Sequence, residues 1–338
     1  MIKKILLLTV LLLSAMPAAA RDEIRIVGSS TLYPLITIAA ENFGREGKFP
    51  TPVVESTGTG GGLKLFCSGV GEKFPDIANA SRKIKPSELE ECRRNAVDIV
   101  EIKIGFDGIV LASSISGPKY SLTKAEIFKA LARRVPKDGK LIDNPYRKWN
   151  EIDARLPNED IRVYGPPPTD GTRDAFAEQV LEESCVNLPE FKQAFPNEAE
   201  RRLFCKEIRE DGKYLEIGSN YNLIIQKLLN EPAAIGIFGY NYLAENGGKV
   251  KGSAINGVLP NEDAIARGKY PLARALYIYV KPQNMANIPG IREFLLELVS
   301  GKAIGQEGYL VEKGLIPLKE KDLVAAKKSV LALEKIHQ

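Results

Sequence analysis

Histidine is almost missing from this chain of 338 residues; the single one, His337, stands next to the C-terminal residue. Its scarcity argues against a Ser-His-Asp triad, a Cys-His nucleophile and a histidine-ligated zinc site, each of which needs an imidazole held inside the fold. Cysteine is scarce too. Cys67, Cys92, Cys185 and Cys205 show no Cys-x-x-Cys spacing and no nearby histidine, so a thiolate metal or redox centre has no framework. No Gly-x-x-x-x-Gly-Lys-Ser/Thr stretch occurs, which argues against a nucleotide hydrolase of the phosphate-loop type. Charge of one sign is not in excess either: 47 Lys and Arg stand against 43 Asp and Glu, a formal net charge of +4. That balance leaves no broad basic field for nucleic acid or an anionic membrane, so any anion site must be local.

Long apolar runs are confined to the start of the chain. Met1-Ile2-Lys3-Lys4 is basic, Ile5 to Leu13 is nearly all apolar, and Ala18-Ala19-Ala20 offers a small-residue cleavage site. This pattern reads as a secretory signal peptide over residues 1–20, cut before Arg21. The run is too short to span a bilayer comfortably. Without Lys3 and Lys4 the net charge falls from +4 to +2. Export suits the cysteines, which allow three pairings. Cys67–Cys92 and Cys185–Cys205 are favoured because each closes a short local loop, worth roughly 3–4 kcal/mol in the chain-entropy account.

What remains reads as an α/β protein with doubly wound sheets, too long for one core and so divided into two lobes. Short Ile- and Val-rich strands are expected at 24–27, 52–55, 99–104, 108–112, 161–164, 234–238 and 275–280. Helices fall between them. One has Pro34 in its first turn, the stripe Leu35, Ile38, Ala39 and Phe43, and Gly44 as its stop. Ser87 and Glu90 have the spacing of a capping box. The polar stretch 118–157, with the lone Trp149 as a local core residue, is expected on the outside of the second lobe. Lobe 1 is drawn at 21–113 and 252–338, and lobe 2 at 114–251. The crossing runs through Gly105-Phe106-Asp107-Gly108, and a surface helix closes the chain after Leu318.

Three stretches turn from strand into a Gly/Ser/Thr corner and then a helix: Ile24–Thr31, Val53–Gly62 and Val163–Thr172. Each corner presents unsatisfied backbone N–H groups and small hydroxyls at a helix start, where the backbone dipoles favour negative charge. Three such corners in one exported chain point to a pocket for a small oxyanion.

With these corners, and with Asp76-Ile77-Ala78-Asn79-Ala80-Ser81-Arg82, Ala234–Tyr240 and Lys269-Tyr270-Pro271-Leu272-Ala273-Arg274, the chain resembles the phosphate-binding component of bacterial phosphate ABC transporters over essentially its whole mature length. The resemblance implies a two-lobed periplasmic binding protein of type II, with the ligand in the cleft and hinge closure burying it. It also implies a binding protein, not an enzyme, that takes inorganic phosphate to the permease subunits of an ABC transporter. Such a protein is monomeric and periplasmic, with no cofactor, no metal, no catalytic residue and no nucleic-acid partner.

Carried over by residue, phosphate is expected on Ser30, Thr31 and the N–H of Leu32, on Thr59 and Gly60, on Ser81 and Arg82, and from the opposite lobe on Asp170, Gly171, Thr172 and Arg173. Two positions depart from the family pattern. Some members carry an Asp, which accepts the ligand's proton, where this chain has Arg82, a donor fork for the anion. Asp170 replaces the Ser of a Ser-Gly-Thr triplet. It accepts the ligand's proton, selecting phosphate over sulfate, or only caps the helix near Thr172, or weakens phosphate binding outright. Asp107 is another candidate acceptor, and Tyr33 and Phe106 are expected in lobe packing. Other tetrahedral oxyanions (sulfate, molybdate, tungstate), a phosphate sensor or adhesin, and a phosphate-ester hydrolase are the competing readings.

Overall fold

A computed structural model describes residues 21–218 and 220–336. The expected signal peptide and His337 lie outside the described residues. Thirteen strands form in chain order among the described residues. The first seven are β1 (Arg25–Gly28), β2 (Val53–Ser56), β3 (Ile77–Ala80), β4 (Val100–Ser114), β5 (Ser121–Leu122), β6 (Arg134–Lys137) and β7 (Lys140–Asp143). The rest are β8 (Val163–Gly165), β9 (Tyr214–Glu216), β10 (Ile235–Gly239), β11 (Val250–Gly252), β12 (Ala254–Ile255) and β13 (Ala273–Val280).

Nine of them make one curled sheet in the order β2-β1-β3-β13-β4-β10-β8-β9, with β11 also on β4. The 15-residue β4 explains the two-lobed shape. Its first part, Val100–Gly108, pairs antiparallel with β13; its second part turns to β10 at Ile109–Ala112 and to β11 at Ala112–Ser114. One strand therefore belongs to both lobes. Parallel pairs β1–β2 and β1–β3 build the first lobe's outer sheet, and β8–β10 and β8–β9 the second's. Each lobe has buried packing of its own. Val27, Leu63, Phe66, Ala78 and Tyr279 cluster in the first, and Val110, Tyr164, Ile224, Leu228 and Phe238 in the second.

Several expectations shift. The two strands expected at 99–104 and 108–112 are one, because Gly105 and Gly108 stay in the ladder and make room for Leu315 and Ile265. β3 was not foreseen; its Ile-Ala-Asn-Ala sequence lacks the β-branched run that marks a strand, yet all four residues are buried. The first helix, α1 (Tyr33–Arg45), runs through Gly44. That glycine allows close approach: a Cβ there would sit 2.0 Å from Thr51 Oγ1. The second helix is α2 (Thr59–Cys67). The third, α3 (Pro86–Arg94), is capped at Lys85, two residues before the expected box, with Glu88 Oε2 accepting the Lys85 backbone N–H at 2.8 Å.

The disulfides are Cys67–Cys92 and Cys185–Cys205. Trp149 is fully buried beside Tyr120, ring centroids 5.6 Å apart. The C-terminal helix, Glu320–Ala332, is more than surface: Leu323, Ala326 and Val330 are buried in the main core. No helix of the described residues is long and apolar enough to cross a membrane.

Candidate functional site

The first corner is set by Gly28. It ends β1 at φ 138°, a conformation L side chains avoid, and a Cβ on it would stand 2.0 Å from Asn79 O. The Ser29 N–H then bonds Asn79 O at 3.0 Å, tying the corner to β3, and α1 begins with Pro34 in its first turn. Leu32, the N-cap, is fully buried. In the second corner Thr59, Gly60 and Gly61 form the first turn of α2, and the first backbone bond inward is Gly62 N–H to Gly58 O at 2.9 Å. The N–H groups ahead of it have no helical acceptor. The third position joins the second directly. Thr59 Oγ1 lies 3.1 Å from Ser81 Oγ and accepts the Ser81 backbone N–H at 3.2 Å.

From the other lobe comes α4 (Lys124–Leu131), and after it α5 (Gly171–Phe176), which continues without a break into a π-helical turn, Ala177–Glu182. Asp170 is the N-cap of α5: its Oδ1 accepts the Thr172 N–H at 2.8 Å. The Tyr221 hydroxyl sits 2.7 Å from that same oxygen and 2.8 Å from Thr172 Oγ1. Burial raises the Tyr221 pKa, with Asp170 adding to it, so this hydroxyl stays protonated.

The two sides meet at Gly171 and Thr31. Thr31 Oγ1 donates to Gly171 O at 3.1 Å and accepts from Arg274 Nη2 at 2.5 Å. Arg274, opposite Asp107 in the β13–β4 register, also reaches Asp107 Oδ2 through Nε at 3.1 Å and Nη2 at 2.9 Å. This bonded group divides the cleft. On one side is a cavity of about 400 Å³ lined by Ser30, Thr31, Asp107, Asp170, Gly171 and Thr172. On the other is one of about 610 Å³ that includes Gly60, Ser81, Arg82 and Arg274. Most of the expected residues therefore converge on one cleft, with hydroxyls, helix-start N–H groups and a buried guanidinium around it. That donor set suits an oxyanion.

Two cations are placed differently from the expectation. Arg82 lines the cleft, but its fork is spent on Glu88, at 2.8 and 2.7 Å. Burial works against its charge, and Glu88 more than offsets this, so the Arg82 pKa is raised. Arg173 lines neither cavity. Its guanidinium stacks over Tyr214, 4.5 Å from the ring centre, in a separate depression with Pro168 and Glu216. Tyr33, expected in lobe packing, is 40% exposed and lines the first cavity, whereas Phe106 is buried in the core as expected.

The residue missed by sequence reasoning is Arg274. It closes the Lys269–Arg274 motif, but nothing local distinguishes it from any strand arginine. Its role comes from Asp107, 167 residues away. Among the described residues no group of three or more His, Cys, Asp or Glu is arranged to hold a metal ion.

Comparison with known proteins agrees with this geometry. A PBP superfamily domain profile matches residues 14–302. The chain belongs to the PBP superfamily. It is 32% identical over 317 residues to the protein SphX of Synechococcus elongatus, covering 91% of this chain and 81% of that one. It is 26% identical to the phosphate-binding protein PstS of Staphylococcus saprophyticus, over 89% of this chain and 82% of that one. Among solved structures, a possible phosphate binding protein from Planctomyces limnophilus superposes with a TM-score of 0.75 at 27% identity, covering 93% of this chain and 99% of that one. An ABC-type phosphate transport receptor from Vibrio cholerae shares the fold, with a TM-score of 0.60 at 19% identity over 87% and 99% of the two chains. This PBP-superfamily chain is accordingly a substrate-binding protein, not an enzyme.

Proposed function

We propose that the protein captures inorganic phosphate outside the cytoplasm and hands it to the permease subunits of an ABC importer. The observation that carries this is the meeting of Thr31, Gly171 and Ser81, the last bonded to Thr59, on the cleft that Arg274 lines. Hydroxyls and free N–H groups replace the anion's water, and one buried guanidinium supplies charge where the whole surface is nearly neutral.

The proposed contact set is Ser30, Thr31, Leu32, Thr59, Gly60, Ser81, Asp170, Gly171 and Thr172, with Arg274 added. Arg82 bounds the site and braces it through Glu88, and Arg173 is left out. Asp170 commits only Oδ1 to its cap, which supports Oδ2 as an acceptor for the ligand's proton. Asp107 is the weaker candidate, being paired with Arg274. For the lobes, the change of β4's partner from β13 to β10 supports a first crossing at about Gly108, short of the limit drawn at 113.

The protein acts as a monomer, is exported by its signal peptide, and closes on the ligand by hinge motion. Calorimetric titration of phosphate-stripped mature protein with phosphate, and separately with sulfate, at two pH values tests the reading. Tight phosphate binding with little heat from sulfate is expected. Equal binding of both makes it a general oxyanion receptor, and binding of neither removes the transport reading.

A further inference from the structure

The larger cavity contains three acids, and only one of them is uncommitted. Glu182 pairs with Arg202, and Glu183 with Lys124 at 2.6 Å. The side chain of Glu178, one turn earlier in the same π-helical stretch as Glu182, makes neither a hydrogen bond nor an ion pair. It faces the anion corners of the first lobe across the cavity, where Gly60, Ser81, Arg82 and Arg274 are exposed to the same space. A π turn widens a helix by one residue and re-aims its side chains, and such turns cluster at functional sites.

An ionised carboxylate here would confront any anion that the corners hold. Repulsion between the two would weaken binding, and the Glu178 side chain makes no hydrogen bond or ion pair that would offset it. A neutral carboxyl, by contrast, carries an O–H donor, the group an oxyanion needs.

We propose that Glu178 enters the closed cleft as a neutral acid and donates its O–H to the bound oxyanion, so that capture takes up a proton from solvent. The proposal rests on the phosphate reading above and adds to it a donor from the second lobe.

The charges around Glu178 weigh both ways. Burial, then Asp174 of α5 and Glu182 of its own turn, favour the neutral form. Lys206, at the end of the helix Glu198–Cys205, and Arg274 of β13 oppose it, as does Arg82 beyond β3. Lys124 and Arg202 of the flanking helices are each paired with an acid, Glu183 and Glu182, and Lys85 also lines the cavity. The balance already raises the Glu178 pKa in the free protein, and a bound anion raises it further. The sign follows. Where the complex holds the proton and the free protein does not, affinity falls as pH rises, by up to about tenfold per pH unit.

The test is phosphate affinity of wild type, Glu178→Gln and Glu178→Ala from about pH 5 to 8, with proton uptake read from heats in buffers of different ionisation enthalpy. The ligand's own titration is common to all three proteins and cancels in their ratios. Gln keeps a donor without the titration, so the ratio of wild-type to E178Q dissociation constants is expected to rise with pH. E178A, without the donor, is expected to bind more weakly than E178Q throughout. Wild type is expected to take up more protons than E178Q. A flat ratio, or E178Q weakest at high pH, overturns the assignment while leaving phosphate binding intact. Wild type that binds no phosphate overturns both.

Discussion

Gly171→Ala adds one methyl group at the point where the lobes touch. The added Cβ would stand 2.5 Å from Thr31 N, 2.6 Å from Ser30 C and 2.7 Å from Ser30 O, where ordinary contact starts at 3.4 Å. All three are backbone atoms, so no side chain can swing aside, and the lobes must part by about 1 Å. Losing the Thr31–Gly171 hydrogen bond costs about 0.5–1.5 kcal/mol, and the overlap about 1–3 kcal/mol, together about 1.5–4.5 kcal/mol against closure. At about 1.4 kcal/mol per decade this is about 10- to 1,600-fold in the phosphate Kd. The free protein relieves the clash by opening, so its thermal midpoint should move little. Gly61→Ala is the control. Its Cβ meets only Thr57 Cβ, at 3.8 Å, and Ala in place of a helical Gly should stabilise by about 0.5–1 kcal/mol. Calorimetry and thermal melts of both variants give the answer. A G171A protein that binds phosphate within about threefold of wild type would show that the contact plays no part in the bound state.

Arg274→Met should weaken phosphate binding by at least about tenfold and lower stability, because it leaves Asp107 half-enclosed and unpaired. Adding Asp107→Asn should restore the melting temperature more than the affinity; full recovery of affinity would mean that Arg274 never meets the ligand. Lys281 is wholly buried between Phe66 and Phe74 near Asp76 and Arg21, with Nζ donating to Pro75 O at 2.7 Å, and burial pushes its pKa down to about 7. Unfolded lysine titrates near about 10.4, so from pH 7 upward the folded state binds fewer protons than the unfolded, and this group's contribution to stability rises with pH. Urea melts between about pH 6 and 10 should show that rise and its flattening in Lys281→Met; an unchanged slope refutes it. Replacing Cys67 and Cys92 by Ser opens a link spanning 25 positions and should cost about 3–4 kcal/mol in denaturant titrations.

The anion corners were legible because their chemistry is local. Gly28, Gly58–Gly62 and Asp170–Thr172 lie within a few residues of the N–H groups they present, and a helix start needs only its own turn to create free donors. Both disulfides were legible for a similar reason, since short loops favour neighbouring partners. The charged side chains were not legible. Arg82 is diverted by Glu88, one helical turn into α3, and Arg173 by the ring of Tyr214 on β9. Arg274 is brought to Thr31 and Asp107 by strand pairing across 243 and 167 positions of chain. Nothing near Glu178 in sequence reveals that its helix faces the other lobe's corners. A long flexible side chain takes its role from whichever opposite charge the fold brings near. Backbone donors at a corner are fixed by the turn itself; the charges that complete the site were decided only when β4 brought the two lobes together.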